Sequence, residues 1–296
     1  MGVKNLTRAI RKYAPGAIRH MSSLLPYAGQ TFAVDTSIFM YKFCATGQNP
    51  VKAFHDQARI LMSHNITPIY VFDGRTAASK KPEAKKRKAE KNKVFQRLQQ
   101  CEQKVAELTS SAPTLTPAQA LHTLSRAQSE LDEQRRRAVS YPTGQNFRDV
   151  KQKLIDLGVS VVQARNDAEK ACAYMTKCGA ADVVVTEDMD ALPYGAVRML
   201  TGFGKPMMVE YTLDKVLEGF EFDMAMFVDY CLLCGTDLCP KIRNIGNDRA
   251  RRFIRAHSNI EGVLHDLDRS KYGVPESYPY PMAREEYCNG SANCIL

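Results

Sequence analysis

Four short apolar runs in this chain end in carboxylates. They are FAVDTS at Asp35, PIYVFDG at Asp73, VSVVQARNDAE at Asp167 and Glu169, and VVVTEDMDAL at Asp188 and Asp190. Asp237 follows later, in CLLCGTDLC. A buried strand that delivers an acid at its C-terminal end is a recurring way to build a site in a parallel α/β sheet. Seven carboxylates at one sheet edge repel one another unless positive charge sits among them. The natural filler is a hard, oxygen-seeking divalent ion such as Mg²⁺ or Mn²⁺. Any one acid pair also reads as a helix N-cap, but the whole set does not. Two divalent ions ~4 Å apart, bridged by carboxylates, supply what phosphodiester hydrolysis needs: an activated water and a stabilised leaving oxyanion. No serine or cysteine motif with a partnered histidine competes, no GxxxxGK[ST] phosphate loop is present, and the six histidines lack metal-ligand spacing.

The elements that must hold these acids alternate. The pattern predicts a helix at about 5–14, a strand over 31–35, helices near 37–45 and 51–64, and a strand over 68–73. It resumes with a helix near 147–157, a strand over 159–164, a helix near 167–178 and a strand over 181–187. Apolar strands separated by helices predict an α/β fold, a mostly parallel central sheet flanked by helices. Between Gly74 and Tyr141 there is no strand candidate. From Lys80 to Lys104 ten Lys/Arg stand against three Glu. Val94, Leu98, Cys101, Val105 and Leu108 mark one helix face, SSAPTLTP breaks it, and Thr116, Pro117 and Gln119 start a second helix with a Leu121, Leu124, Leu131 stripe. This predicts a helical hairpin inserted at 80–140, basic on its first leg, at the rim where α/β sites lie. The third segment, about 213–268, reads as helical. Its loop GTDLCPKIRNIG precedes the basic helix NDRARRFIRAH, which carries Arg249 and Arg252. Such a turn lets backbone N–H groups and a helix N-terminus approach phosphates. The expected division is a single domain over 1–270, made of blocks 1–79, 80–140 and 141–270, and an irregular tail over 271–296.

The 296 residues carry a formal net charge of +9, so the expected partner is a polyanion. No apolar run approaches the ~20 residues that span a bilayer, and no secretory signal or lipidation motif is complete, so no membrane role is expected. Nine cysteines without a regular framework point to an intracellular reducing compartment such as the nucleus. Cys231, Cys234 and Cys239 lie in or beside an apolar helical stretch, where cysteine packs as a small hydrophobe, and no second pair completes a zinc site.

These blocks resemble the flap endonucleases and the wider XPG-type structure-specific 5′ nucleases. MGVKNLTRAIRKYAPGAI is similar to that family's opening segment, FAVDTSIFMYKF and YVFDGRTAASKKPEAKKR to its first two acid blocks, and DAEKACAYM to its E-A-E block. VVVTEDMDALPYGA resembles the A-T-E-D-M-D block, and LLCGTDLCPKIRNIGNDRARRFIRAH the helix–three-turn–helix that grips duplex DNA around a monovalent cation. The resemblance spans about residues 1–270. It implies a PIN-like nuclease core with a helical arch and a helix–three-turn–helix over 226–257. It implies that Asp35, Asp73, Asp167, Glu169, Asp188, Asp190 and Asp237 hold two Mg²⁺ (or Mn²⁺). Lys80 and Arg87 would face the scissile phosphate from the arch, Tyr41 would stack on a base beside the cut, and Gly2 would sit near the site. Ile242, Ile245 and Gly246 would lie in a loop offering backbone groups to K⁺ and to one duplex strand.

The implied substrate is DNA with a 5′ flap or free 5′ end, cleaved by a monomer during replication, repair or recombination. The alternatives are an RNase on the same fold, since both nucleic acids present the same scissile phosphate, and a non-catalytic binding protein, against which all seven retained acids argue. Three departures stand out. Asp167 occupies a position where the family usually has Glu, which shortens the arm by a methylene. Asn244 replaces a common Gly. No Q-x-x-[ILM]-x-x-[FY]-[FY] clamp-binding peptide is present, an expectation that fits a divergent or viral member acting in a host nucleus or cytoplasm.

Overall fold

The protein is described by a computed structural model covering residues 2–74, 81–111 and 117–288. Seven strands form one sheet: β1 (Ile18–Met21), β2 (Thr31–Asp35), β3 (Thr67–Phe72), β4 (Ser160–Gln163), β5 (Val183–Val185), β6 (Arg198–Thr201) and β7 (Met208–Thr212). Their order is β1-β7-β6-β5-β2-β3-β4. The run from β6 to β4 is parallel, and β7 and β1 are antiparallel additions at one edge.

The sheet is buried on both faces because its strands alternate between two cores. Phe32, Val34, Tyr70, Phe72, Val183 and Val185 point into one core, with α2 (Thr36–Ala45), α3 (Pro50–Ser63) and α6 (Gly144–Asp156) over it. Ala33, Val71 and Val184 point into the other. That side is covered by α1 (Leu6–Tyr13), α7 (Ala168–Lys177), α8 (Leu213–Phe220) and α9 (Met224–Cys234). Each fully buried side chain of this kind contributes roughly 1.5–3 kcal/mol. A one-residue slip would exchange the faces, so the register that buries Phe32 and Val34 also fixes where Asp35 emerges.

The chain leaves β2 for β3 and β4 on one side, then returns to place β5 on the other side of β2. The gap between the C-terminal ends of β2 and β5 is therefore the topological switch point, where open α/β sheets bind ligands.

The insertion is an antiparallel pair, α4 (Lys81–Ser111) and α5 (Pro117–Val139). Cys101 on the first leg and Ala127 and Leu131 on the second are buried, and Lys104–Glu130 and Arg135–Glu102 pairs cross between the legs at 3.4 and 3.6 Å. Thr116, expected as the N-cap of the second leg, lies outside the described residues. Leu121, expected in its apolar stripe, is 72% exposed.

Three strands escaped the sequence pattern. β1 is short and carries Arg19 and His20 in its middle, both exposed. β6 and β7 lie in 198–212, where no element was expected. The expected irregular tail is also corrected: Tyr280–Cys288 forms a helix, α12, with Ala283 and Tyr287 buried. α10 (Asn247–His257) and α11 (Ile260–Asp266) complete the helical segment.

Candidate active site

Asp35 is the last residue of β2 and the N-cap of α2. Its Oδ1 accepts from Ser37 N at 3.1 Å and Ile38 N at 3.3 Å, and its Oδ2 accepts from Thr186 Oγ1 at 3.0 Å. Asp188 follows β5 directly across the switch point. It accepts from Asp190 N at 3.1 Å, and its own N–H donates to Thr186 Oγ1 at 3.1 Å. Thr186 thus joins the two strand ends. N-capping does account for part of what Asp35 and Asp188 do, yet each cap bond occupies one lone pair of a group that has about four.

Asp73 leaves the end of β3. Ser37 Oγ donates to its Oδ2, and Ala168 N donates to its Oδ1 at 2.8 Å. Asp73, from a different strand, therefore caps α7, while the side chain of Asp167, the N-cap residue by position, makes no cap bond. Gly74 makes this junction possible. Its N–H donates to Asn166 O at 2.6 Å, and a Cβ there would meet Ala164 O at 2.0 Å. Glu169 lies in the first turn of α7.

Asp190 is 1% exposed and accepts from Val3 N at 2.7 Å and from the Tyr287 hydroxyl at 3.2 Å. Gly2 has φ +82, and a Cβ built on it would lie 2.1 Å from Asp188 Oδ1 and 2.6 Å from Asp190 Oδ1. The N-terminal segment thus closes one side of the cluster. Asp237 follows Thr236 in the loop after α9, and Lys4 N donates to Gly235 O at 3.1 Å on that loop.

The electrostatics report the same convergence. Burial pushes the Asp35 carboxyl up to about 7, and the charges of Asp73 and Asp188 push the same way, outweighing the bonds from Ile38 and Thr186. Burial raises the Cys172 thiol well above its ordinary range, and Asp35, Asp73 and Glu169 add to the shift. Cys172, on α7, therefore lies among three of the acids.

Among the described residues no three His, Cys, Asp or Glu side chains close on a single metal-binding point. Ser37, Thr186, Val3, Ala168 and Tyr287 each donate a hydrogen bond to an oxygen of Asp35, Asp73 or Asp190. The donor set fits a hard divalent cation: it is all carboxylate oxygen, and burial together with the neighbouring charges of Asp73 and Asp188 disfavours the bare anion at Asp35, an environment that a cation would relieve.

Tyr41, on α2, is 45% exposed, so its ring is not a core side chain. Lys80 lies outside the described residues. Arg87 belongs to α4, in the stretch whose side chains are likewise outside them. Ile242 and Ile245 are fully buried, so these two residues can offer only backbone, while Lys241, Arg243 and Asn244 beside them are exposed. Asn244 adopts φ 65, a left-handed conformation that Asn tolerates better than most residues. Gly246 is the N-cap of α10 in extended conformation, and a Cβ there would meet nothing. Arg249 and Arg252 are exposed on α10, and Arg249 donates to Asn244 O at 2.6 Å. Cys231, Cys234 and Cys239 are buried thiols without disulfide partners, as a hydrophobic role requires.

The XPG N-terminal domain family matches residues 1–94 and the XPG I-region family matches residues 158–237. Flap endonuclease 1-A of Sorghum bicolor is 32% identical over 304 residues, covering 96% of this chain and 74% of that protein. This chain belongs to the XPG-type flap endonuclease family. Flap endonuclease 1 of Caenorhabditis elegans is 31% identical, covering 98% of the chain and 75% of that relative. This family member is a structure-specific 5′ nuclease, a hydrolase. Its fold is shared with flap endonuclease-1 from Methanococcus jannaschii (TM-score 0.63, 21% identity, covering 97% of this chain and 84% of the other). It is also shared with the catalytic core of Rad2 in complex with DNA substrate (TM-score 0.68, 15% identity, covering 100% and 89%).

Sequence reasoning missed four residues of this XPG-type site: Ser37, Thr186, Val3 and Tyr287. Thr186 had a signal, a hydroxyl ending an all-valine run. Val3 acts through its backbone, and Tyr287 comes from a segment with no periodic pattern, so neither had one.

Proposed function

We propose that this enzyme hydrolyses phosphodiester bonds in DNA at single-strand/duplex junctions, with two Mg²⁺ or Mn²⁺ ions held by Asp35, Asp73, Asp167, Glu169, Asp188, Asp190 and Asp237. The observation that carries this reading is the placement of Asp35 and Asp188 on either side of the switch point, joined through Thr186, with Asp73 alongside. When bound, such ions supply an activated water and charge opposite the leaving oxyanion. The protein's part is positional. Thr186, Ser37 and the backbone of Val3 and Ala168 hold the carboxylates in fixed rotamers before substrate arrives. Gly2 lets the chain start pass against Asp188 and Asp190. Tyr41, exposed on the helix that Asp35 caps, stacks on a base next to the scissile phosphate. Lys80 and Arg87 contribute charge from the arch.

The duplex lies along the basic side formed by the loop after α9 and by α10. Arg249 and Arg252 face phosphate there, and the loop backbone around Ile242, Ile245 and Gly246 holds K⁺. The Holliday junction-resolving enzyme GEN1, which shares this fold, has been solved in complex with product DNA, Mg²⁺ and Mn²⁺ ions, which supports the same chemistry here. The enzyme acts as a monomer in an intracellular reducing compartment, such as the nucleus, a reading supported by the scattered cysteines, which are unpaired among the described residues.

The test is cleavage of a 5′-labelled flap duplex with Mg²⁺, run beside a matched RNA flap. Cleavage of the DNA flap that disappears in Asp188→Ala is expected. No cleavage across Mg²⁺, Mn²⁺ and pH would overturn the reading, and preference for the RNA flap would replace DNA by RNA as substrate.

A further inference from the structure

Asp190 is the most deeply buried acid of the cluster. Its Oδ1 is held by the backbone of Val3, near the start of the chain, and its Oδ2 by the Tyr287 hydroxyl, from the last described helix. Tyr287 is itself buried, its ring packed at a tilt against Tyr194, with centroids 4.7 Å apart, one turn beyond Asp190. Its hydroxyl also meets the side chain of Thr236, the residue before Asp237. One phenol therefore touches two of the acid-bearing segments.

The helix that carries it is clamped on three sides. Arg284 Nε and Nη2 donate to the two oxygens of Asp229 on α9, each at 2.7 Å, and Nη1 and Nη2 donate to Glu261 on α11 at 2.8 Å. Glu286 pairs at 3.1 Å with Lys170, a buried residue next to Glu169. Helix α12 thus runs as a strap behind the site, anchored to the helical segment by Arg284, to α7 by Glu286 and to Asp190 by Tyr287.

We propose that Tyr287 is a positioning residue that sets the divalent-cation affinity of the acid cluster by holding Asp190. This rests on the metal-dependent reading above. A neutral donor on one lone pair of a carboxylate oxygen fixes its rotamer and leaves the remaining lone pairs for a cation. Loss of such outer partners lowers metal affinity about 10–100-fold.

The test uses the full chain and Tyr287→Phe, which keeps the ring on Tyr194 and removes only the hydroxyl. Mn²⁺ binding is measured by titration calorimetry without DNA, and the Mg²⁺ dependence of flap cleavage is measured in parallel. About tenfold weaker Mn²⁺ binding is expected, with a matching rise in the half-saturating Mg²⁺ and cleavage recovered at high Mg²⁺. Mn²⁺ binding equal to wild type would overturn the assignment. In an Asp190→Asn background the Phe substitution is expected to change nothing further; the same tenfold loss there would mean that the hydroxyl acts elsewhere, which also overturns it. A wild-type protein that binds no Mn²⁺ would remove the metal reading itself, a different result from wild-type binding that the variant retains.

Discussion

Gly2 and Asp188 approach so closely that a Cβ on Gly2 would stand 2.1 Å from Asp188 Oδ1. The glycine also has φ +82, a conformation that costs an L-residue roughly 1–2 kcal/mol. Gly2→Ala therefore displaces the Asp188 carboxylate or the chain start. Flap cleavage is expected to fall by about tenfold or more, each factor of ten being about 1.4 kcal/mol of barrier. The melting temperature should drop by only a few degrees. Wild-type rates in the Ala variant would show that the contact is not needed.

Asp35 makes stability depend on pH in the absence of divalent ions. Its folded carboxyl titrates near 7 and its ordinary value is 3.8. Between about pH 4 and 7 the folded protein keeps a proton that the unfolded chain has lost, so stability falls as pH rises through that window and stays reduced above it. The limiting slope is about 1.4 kcal/mol per pH unit. Urea unfolding in chelator from pH 4.5 to 7.5 should show the decline. Asp35→Asn should flatten it, and excess Mg²⁺ should cancel it by supplying the missing positive charge.

Asp188→Ala removes the acid across the switch point from Asp35. Loss of several kcal/mol of transition-state charge stabilisation predicts a fall in cleavage of about 10³-fold. The chelator-treated protein should be no less stable, because one of the charges raising Asp35 is gone. Single-turnover rates and melting curves read the two effects separately.

Arg284→Ala leaves Asp229 buried without its cation. Asp229 is 4% exposed at its side chain and keeps only the bond from Ile260 N among those described here. Removing one partner of a buried pair costs about 3–5 kcal/mol. The half-open position of Arg284 brings the expectation to about 2–4 kcal/mol, read as a lower urea midpoint. Because this strap also carries Tyr287, the Mg²⁺ requirement should rise with it.

Tyr41→Ala should leave stability nearly untouched, since the ring is 45% exposed. Base stacking contributes roughly 1–3 kcal/mol, so cleavage of a flap substrate should fall by about 10–100-fold. Tyr41→Phe should recover most of the rate, because a phenyl ring stacks as a phenol does.

The carboxylates were legible because a buried strand must alternate and must end. The runs FAVD, YVFD and VVVTED leave no other place for the acid than the strand's C-terminal edge, and the helical hairpin followed from one apolar face interrupted by SSAPTLTP. What only the tertiary structure decided is which strand lies beside which. β5 pairs with β2 across about 150 residues, and that non-local pairing, which no local pattern encodes, brings Asp188 opposite Asp35 through Thr186. The short, polar-centred strand β1 forms because β7 offers it an edge. The Tyr- and Pro-rich end reads as irregular but becomes a helix, because Arg284 finds Asp229 and Glu261 and Tyr287 finds Asp190. Local sequence sets the period and the ends of each element. The partners of a buried phenol or a cross-sheet hydroxyl depend on packing between segments far apart in the chain.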